Sequence, residues 1–106
     1  MSEVSPKRVL VADADEIVAF ITSQILSRYD YAVETVNSAD ALAARGDGFD
    51  CVVVSDAIAR ETARLLNPQR VVILGDRVDG FNAFARLRKP VELDLLAMTV
   101  GACANR

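Results

Sequence analysis

The sequence contains no histidine and no tryptophan, and it has only two cysteines. Without histidine, nucleophilic catalysis assisted by an imidazole is excluded, and a zinc site is not expected. Cys51 lies in an apolar run and Cys103 near the end of the sequence, so the two are too few and too differently placed to form a disulfide framework. Cys51 is therefore predicted to be a small buried side chain.

Long apolar runs and an excess of basic residues are also missing. No apolar run approaches the roughly 18 residues that a membrane span needs, and the N-terminal segment MSEVSP is polar. The formal net charge is −3, and lysine and arginine are spread along the chain without a basic stripe that would follow a phosphate backbone. We therefore expect a cytoplasmic protein that binds neither membranes nor nucleic acids.

The composition does supply enough apolar material for one core. Hydrophobic residues make up 52% and charged residues 25% of the 106 residues. Ordinary globular proteins have roughly 45–50% apolar and about 25% charged residues. A chain of this length has room for one domain, and we predict a single domain over residues 1–106 with its core between about residues 7 and 100.

Short apolar runs alternate with segments of helical periodicity. Five strands are predicted, at 9–12, 32–36, 50–56, 70–74 and 84–88. Four helices are predicted, at 15–29, 39–45, 58–66 and 91–100. In the first helix, Ile17, Phe20, Ile21 and Ile25 share one face, which predicts that this stripe packs in the core.

Alternating strands and helices predict an α/β fold in which helices cover both faces of a parallel sheet. The flavodoxin-like strand order 2-1-3-4-5 is the arrangement we expect. In such a sheet the order reverses between strands 1 and 3, and ligands bind outside the carboxyl ends of the strands at that point. Asp13 follows the first strand and Asp56 follows the third, so we expect these two carboxylates to lie close together.

Three short segments resemble, in order, the marks of the receiver domain of bacterial two-component response regulators. They are VLVAD ending at Asp13, VVSD ending at Asp56, and Lys89-Pro90. The resemblance covers roughly residues 7 to 100. It implies that Asp56 is the candidate phosphoacceptor, that Lys89 contacts the phosphoryl group, and that Asp13, Asp15 and Asp56 hold Mg²⁺.

The departures from the receiver pattern point to impaired phosphorylation. A second adjacent acid is replaced by Ala14, so the Mg²⁺ site is expected to be weak. The hydroxyl that normally ends strand 4 is replaced by Gly75, which leaves no side chain to follow a phosphoryl group. Asp56 would then be a poor acceptor, or a structural remnant that holds Lys89 by an ion pair.

The largest departure is a deletion before strand 5. Only residues 75–83 remain, they are rich in turn formers, and they show no helical periodicity, so the fourth helix of the family is predicted to be missing. Two-residue alternation places Phe84, Arg86 and Arg88 on the face that this helix would cover. We predict that this face is open and that these residues, with the last helix, form an interface, although the arginines alone would also keep an edge strand soluble.

Three functions remain open from the sequence, and none of them is enzymatic. The first is a pseudo-receiver that acts by contact with a histidine kinase, another receiver or an output protein, with a homodimer as a further arrangement. The second is a working phosphoacceptor that uses Asp56. The third is a sensor in which Arg77, Arg86 and Arg88 bind a cyclic dinucleotide.

Overall fold

The computed structural model describes residues 6–45 and 48–105. Its strands are β1 (Arg8–Ala12), β2 (Ala32–Val36), β3 (Cys51–Ser55), β4 (Val71–Leu74) and β5 (Ala85–Leu87). Its α-helices are α1 (Glu16–Ser27), α2 (Ala39–Arg45), α3 (Asp56–Thr62) and α4 (Leu93–Ala104). Two short 3₁₀ turns, Ala63–Leu65 and Pro68–Arg70, lead from α3 into β4. Within the described residues, no helix is both long and apolar enough to cross a membrane.

The five strands form one parallel sheet in the order β2-β1-β3-β4-β5, which confirms the predicted flavodoxin-like topology. Ala12 at the end of β1 is in register with Val54 near the end of β3. The side chains that follow these two strands therefore start from neighbouring positions at one edge of the sheet. This is the edge where the strand order reverses and where parallel α/β sheets bind ligands.

The sheet has an apolar core on each face, because β1, β3 and β4 are covered by helices on both sides. One core lies between the sheet and the helices α1 and α4, and it includes Cys51, which is fully buried as predicted. The other core lies on the side of α2 and α3, and it includes Leu10 and Ile73. Strand β3 is buried along its whole length, since it is the central strand of the sheet.

The prediction for the apolar stripe of the first helix is wrong. Ile17, Phe20 and Ile21 are 71%, 62% and 50% exposed, and Ile25 is only half-buried against the core. The residues of α1 that are buried are Ala19, Thr22 and Leu26. Both sets have helical spacing, and they lie on opposite faces of the helix. Helix α1 rests on the sheet by the face with the smaller side chains and presents the larger ones outward.

The segment between β4 and β5 contains no helix, as predicted, but the face beside it is partly covered. Val78 and Phe81 are buried, and both belong to the core on the side of α2 and α3, with Ile73 of β4. The backbone N–H of Phe81 donates a hydrogen bond to the carbonyl of Val78 at 3.2 Å, which bends the segment back onto the sheet. The face is therefore partly covered: two apolar side chains take part of the space of the missing helix, while Arg86 and Arg88 are exposed as predicted.

The predicted alternation holds inside β5 but not at its start. Arg86 is exposed and Leu87 is buried, as the two-residue period requires. Phe84 precedes the strand, is half-buried, and packs against the core on the side of α1 and α4. Phe84 therefore does not share a face with Arg86, because strand geometry applies only from residue 85 onward.

Three helices have bounds that differ from the predicted ones, and α1 differs least, since it spans Glu16–Ser27 where 15–29 was predicted. Helix α3 begins at Asp56, two residues before the predicted start, because the hydroxyl of Ser55 caps it by accepting a hydrogen bond from the N–H of Ile58. Helix α4 continues beyond residue 100 to Ala104. Its buried face includes Leu96 and Val100, whereas Leu93 at its first position is 52% exposed.

Candidate functional site

The ends of β1, β3 and β5 place Asp13, Asp56 and Lys89 at the same edge of the sheet. This is the arrangement that the topology predicted for the two carboxylates. The hydrogen bonds around each of the three side chains show what this edge can do chemically.

Asp13 is a buried carboxylate with a partner on each oxygen. Its residue is only 3% exposed. Oδ1 accepts a hydrogen bond from the backbone N–H of Asp15 at 2.9 Å, and Oδ2 accepts one from the Nζ of Lys89 at 3.3 Å. Asp13 is thus the ion-pair partner of Lys89. The expectation that Asp56 holds Lys89 by an ion pair is corrected by this contact.

Asp56 has both carboxylate oxygens bound to backbone amides. Oδ1 accepts from the N–H of Ala57, and Oδ2 accepts from the N–H of Asp76, each at 2.8 Å. The guanidinium of Arg60, one helical turn later, lies 3.8 Å from Oδ2. The side chain remains 22% exposed. Asp56 therefore fastens the end of β3 to the backbone that follows β4.

Gly75 makes this contact sterically feasible. Its φ of +118° lies in a region that side chains rarely adopt, and a Cβ there would stand 2.6 Å from Oδ2 of Asp56. The N–H of Gly75 donates to the carbonyl of Leu87 at 2.8 Å, which ties the same point to β5. The sequence showed only that a hydroxyl is missing at this position. The structure shows that the carboxylate of Asp56 takes the space that a side chain would need.

The pKa of the Asp56 carboxyl is lowered from its ordinary value. The largest cause is the hydrogen bond from the N–H of Asp76, burial acts in the opposite direction, and the N–H of Ala57 and the charges of Arg60 and Lys89 lower the pKa further. Because each of these donors favours the ionised form, the folded protein holds Asp56 as a carboxylate more firmly than the unfolded chain does.

This shift predicts an acid-dependent contribution of Asp56 to stability. A folded-state pKa below the unfolded one stabilises the fold above about pH 4, and the contribution is lost as the pH falls through the lowered pKa. In Asp56→Asn, the amide has one acceptor oxygen and no charge. We expect it to be less stable than the wild type at neutral pH, with a difference that shrinks below about pH 4.

Urea denaturation at a series of pH values checks this, because carboxylates elsewhere are common to both proteins and cancel in the difference. A stability difference that stays constant from neutral pH down to about pH 3 would contradict the assigned role of the ionised carboxylate.

The three carboxylates predicted as a weak Mg²⁺ site do not fit that ion. Asp15 caps α1, since its Oδ1 accepts hydrogen bonds from the N–H groups of Ile17 and Val18. Asp13 holds an ammonium group, and both oxygens of Asp56 hold amides. In residues 6–45 and 48–105, no group of three or more His, Cys, Asp or Glu side chains is placed to hold a metal ion. Mg²⁺ would have to compete with the ammonium group and the amides that these carboxylates already bind.

A polar cleft of about 480 Å³ opens beside Asp56, and it contains the three arginines that the sequence suggested as a ligand site. Its lining consists of Asp56, Gly75, Asp76, Arg77, Arg86, Arg88 and Lys89. Arg86 is oriented there by a hydrogen bond from its guanidinium to the carbonyl of Gly75 at 3.1 Å. The structure therefore gathers the predicted arginines at the carboxyl edge of the sheet.

An apolar groove of about 540 Å³ runs between α1 and α4, and it is not among the sites predicted from the sequence. Val18, Ile21, Thr22, Ile25, Leu74, Lys89, Pro90, Val91, Leu93 and Leu96 line the groove. Ile21 connects it to the exposed Ile17 and Phe20 on the outer face of α1. The apolar stripe of the first helix is the part of the sequence that indicates this groove, although its spacing equally predicts a core face.

No protein-family model matches the sequence, and no curated protein matches it. Solved structures do match. A receiver domain protein from Clostridium thermocellum has a TM-score of 0.74 and 22% identity, with 94% of this chain and 95% of that chain covered.

The chain has the receiver fold. A receiver domain protein from Methanospirillum hungatei matches with a TM-score of 0.74 and 21% identity over 95% of each chain. The N-terminal domain of a response regulator/sensory box/GGDEF three-domain protein from Carboxydothermus hydrogenoformans matches with a TM-score of 0.75 and 18% identity, covering 93% of this chain and 94% of that one. At these identities the likeness establishes the receiver fold, as the sequence predicted, and leaves the chemistry to the residues of this chain.

Proposed function

We propose that this protein is a receiver-like module of a two-component or phosphorelay system that acts by protein contact, with impaired phosphorylation at Asp56. The observation that supports this most directly is the pair of amide hydrogen bonds on the Asp56 carboxylate. A carboxylate that attacks a phosphoryl group needs electron density on the attacking oxygen and a means of neutralising charge. Here each oxygen already accepts an amide hydrogen bond, which stabilises its charge and weakens it as a nucleophile, and Lys89 is paired with Asp13.

The same contacts argue against a switch in which phosphorylation moves the segment after β4. The segment after β4 is already drawn to Asp56 through the N–H of Asp76, without any added group. A phosphoryl group would therefore have no second position into which to pull a hydroxyl, and Gly75 has none to offer. A modification shifts a conformational equilibrium only if it favours one state over the other, and a phosphoryl group on Asp56 would have no second state to favour.

We propose the exposed face of α1 and the adjoining groove as the contact surface. Large apolar side chains on a helix, beside an apolar groove, suit a helix of a partner that packs by its own apolar stripe. The partner class proposed is a histidine kinase, another receiver or an output protein, with a homodimer as a further arrangement in a cytoplasmic setting. The structure supports this surface better than the interface predicted from the sequence at Phe84, Arg86 and Arg88, since Phe84 packs on a different side from Arg86.

The experiment that tests the proposal is intact-protein mass spectrometry after incubation with Mg²⁺ and acetyl phosphate, with Asp56→Ala as the control. We expect far less than one phosphoryl group per chain. In Ala14→Asp, which restores a second acid, we expect only a small rise, because the oxygens of Asp56 remain hydrogen-bonded.

The second function, a working phosphoacceptor, makes the opposite prediction. Substantial phosphorylation that disappears in Asp56→Ala, accompanied by a change in partner affinity, would replace the pseudo-receiver proposal with it. No enzymatic activity of the module itself is proposed in either case.

A further inference from the structure

The arginines of this chain differ sharply in their counter-ions. Four of them, Arg8, Arg45, Arg60 and Arg70, each lie within ion-pair distance of a carboxylate. Arg77, Arg86 and Arg88 have no such carboxylate among the described residues, yet all three line the cleft beside Asp56. The sequence has 15 acidic residues against 12 basic ones, so carboxylates are available in excess as ion-pair partners. Three guanidinium groups without such a partner in one cleft therefore need an explanation.

The acids inside this cleft do not neutralise it. Asp56 is charged, but it is paired with Arg60, which lies 3.8 Å away and outside the lining of the cleft, and Lys89 is balanced by Asp13. What remains is three guanidinium groups against the one carboxylate of Asp76. Positive charge concentrated between walls of low dielectric constant attracts anions strongly. Guanidinium groups pair with phosphate oxygens through two parallel hydrogen bonds.

A second compartment continues the cleft toward the segment between β4 and β5. Arg77 and Arg86 line both compartments. The second has a volume of about 530 Å³ and is lined by Ile73, Arg77, Val78, Asp79, Gly80, Phe81, Asn82, Ala83, Ala85 and Arg86. Its lining includes the buried apolar residues Ile73, Val78 and Phe81, and Asp79 and Asn82 offer hydrogen-bond partners beside them. Each compartment falls within the roughly 300–1,000 Å³ typical of small-molecule sites.

We propose that this two-part cleft binds a nucleotide, with its phosphate on Arg77, Arg86 and Arg88 and the polar edges of its base beside Asp79 and Asn82 in the second compartment. An inorganic anion would use only the cationic part. An extended nucleic acid would need a basic stripe that the sequence lacks. A small molecule that carries negative charge at one end and a planar base with polar edges at the other matches both compartments. This inference does not depend on the proposed function, because it involves neither phosphorylation of Asp56 nor the face of α1.

Isothermal titration calorimetry of the full chain at low salt tests the proposal, with GMP, AMP, cyclic di-GMP and inorganic phosphate as probes. We expect at least one nucleotide to bind more tightly than phosphate, with an affinity that falls as salt is added. In the double variant Arg77→Gln with Arg88→Gln, we expect that affinity to fall about tenfold or more, since two charge-assisted contacts are lost.

The matched control is Arg28→Gln with Arg64→Gln. It removes the same charge from two exposed arginines outside the cleft that also have no carboxylate partner among the described residues. It should bind like the wild type. The proposal is overturned if no nucleotide binds, if both double variants lose affinity equally, or if phosphate binds as tightly as every nucleotide. Binding of an acidic or phosphorylated peptide without any nucleotide binding would likewise assign the cleft to a protein partner instead.

Discussion

Replacing Gly75 by alanine is expected to lower the free energy of unfolding by about 3 kcal/mol. Two costs combine, and the first is the backbone strain of a side chain at φ +118°, which is worth about 1–3 kcal/mol. The second is displacement of the Asp56 carboxylate, because the new Cβ would lie 2.6 Å from Oδ2 and 2.8 Å from Cγ. Moving that carboxylate breaks its hydrogen bond to the N–H of Asp76, a loss of about 1–3 kcal/mol when a charged acceptor is involved.

Gly80→Ala is the matched control for the strain alone. Gly80 also has a positive φ, +74°, but a Cβ built on it would meet nothing within 4 Å. We expect this substitution to cost about 1–2 kcal/mol, the usual penalty for a left-handed residue with a side chain. Urea denaturation of both variants, followed by circular dichroism, measures the difference between them.

A double-mutant cycle with Asp56→Ala isolates the steric contact between the two residues. When the carboxylate is gone, Gly75→Ala should cost only its backbone strain, about 1–3 kcal/mol. Gly75→Ala and Asp56→Ala should therefore be strongly non-additive. If Gly75→Ala costs the same in both backgrounds, the carboxylate does not occupy the space above Gly75. The proposal that Asp56 is held by the backbone after β4 would then fail with it.

The positions of Asp13, Asp56 and Lys89 could be predicted because they depend on topology. Alternating strands and helices fix the order of a parallel sheet, and the order fixes which strand ends are neighbours. The partner of each side chain could not be predicted. Whether Lys89 pairs with Asp13 or with Asp56 is decided by differences of a few ångströms in a loop. The N–H that binds Asp56 comes from Asp76, in a segment whose sequence has no periodicity to define its path.

The missing fourth helix was predictable from the same segment, but its replacement was not. A length of nine residues and a composition rich in turn formers exclude a crossover helix. They do not show that Val78 and Phe81 turn inward and fill the space. The apolar face of β4 has to be covered by something, and two side chains spaced three residues apart in a turn are enough to cover it.

The orientation of the first helix does not follow from its sequence, because two opposite faces of the helix carry apolar residues at helical spacing. Ranking by size selects the stripe of Ile17, Phe20 and Ile21 as the core. The structure buries the face with the smaller side chains, which lets α1 lie close to the sheet. Large apolar residues are more often buried than exposed, so an outward stripe of them points to a binding surface.

The orientation of α1 predicts a large difference in stability between substitutions on its buried and its exposed face. Leu26→Ala is expected to lower the free energy of unfolding by about 2–5 kcal/mol, because Leu26 is fully buried in the core between α1 and the sheet and its removal leaves a cavity. Phe20→Ala removes a larger side chain from the same helix. It should change stability by no more than about 0.5 kcal/mol, since Phe20 is 62% exposed. Urea denaturation of the two variants at neutral pH measures both values.

The opposite order of effects would mean that the apolar stripe is core after all, and the contact surface proposed on α1 would be lost with it. If the order is as expected, Phe20→Ala also becomes the variant with which to test that surface. It keeps the fold and the carboxyl edge intact while removing the largest exposed apolar side chain of α1. Partner binding or self-association that weakens in Phe20→Ala, but survives in Asp56→Ala, would show that this protein acts through the face of α1 and not through its aspartate.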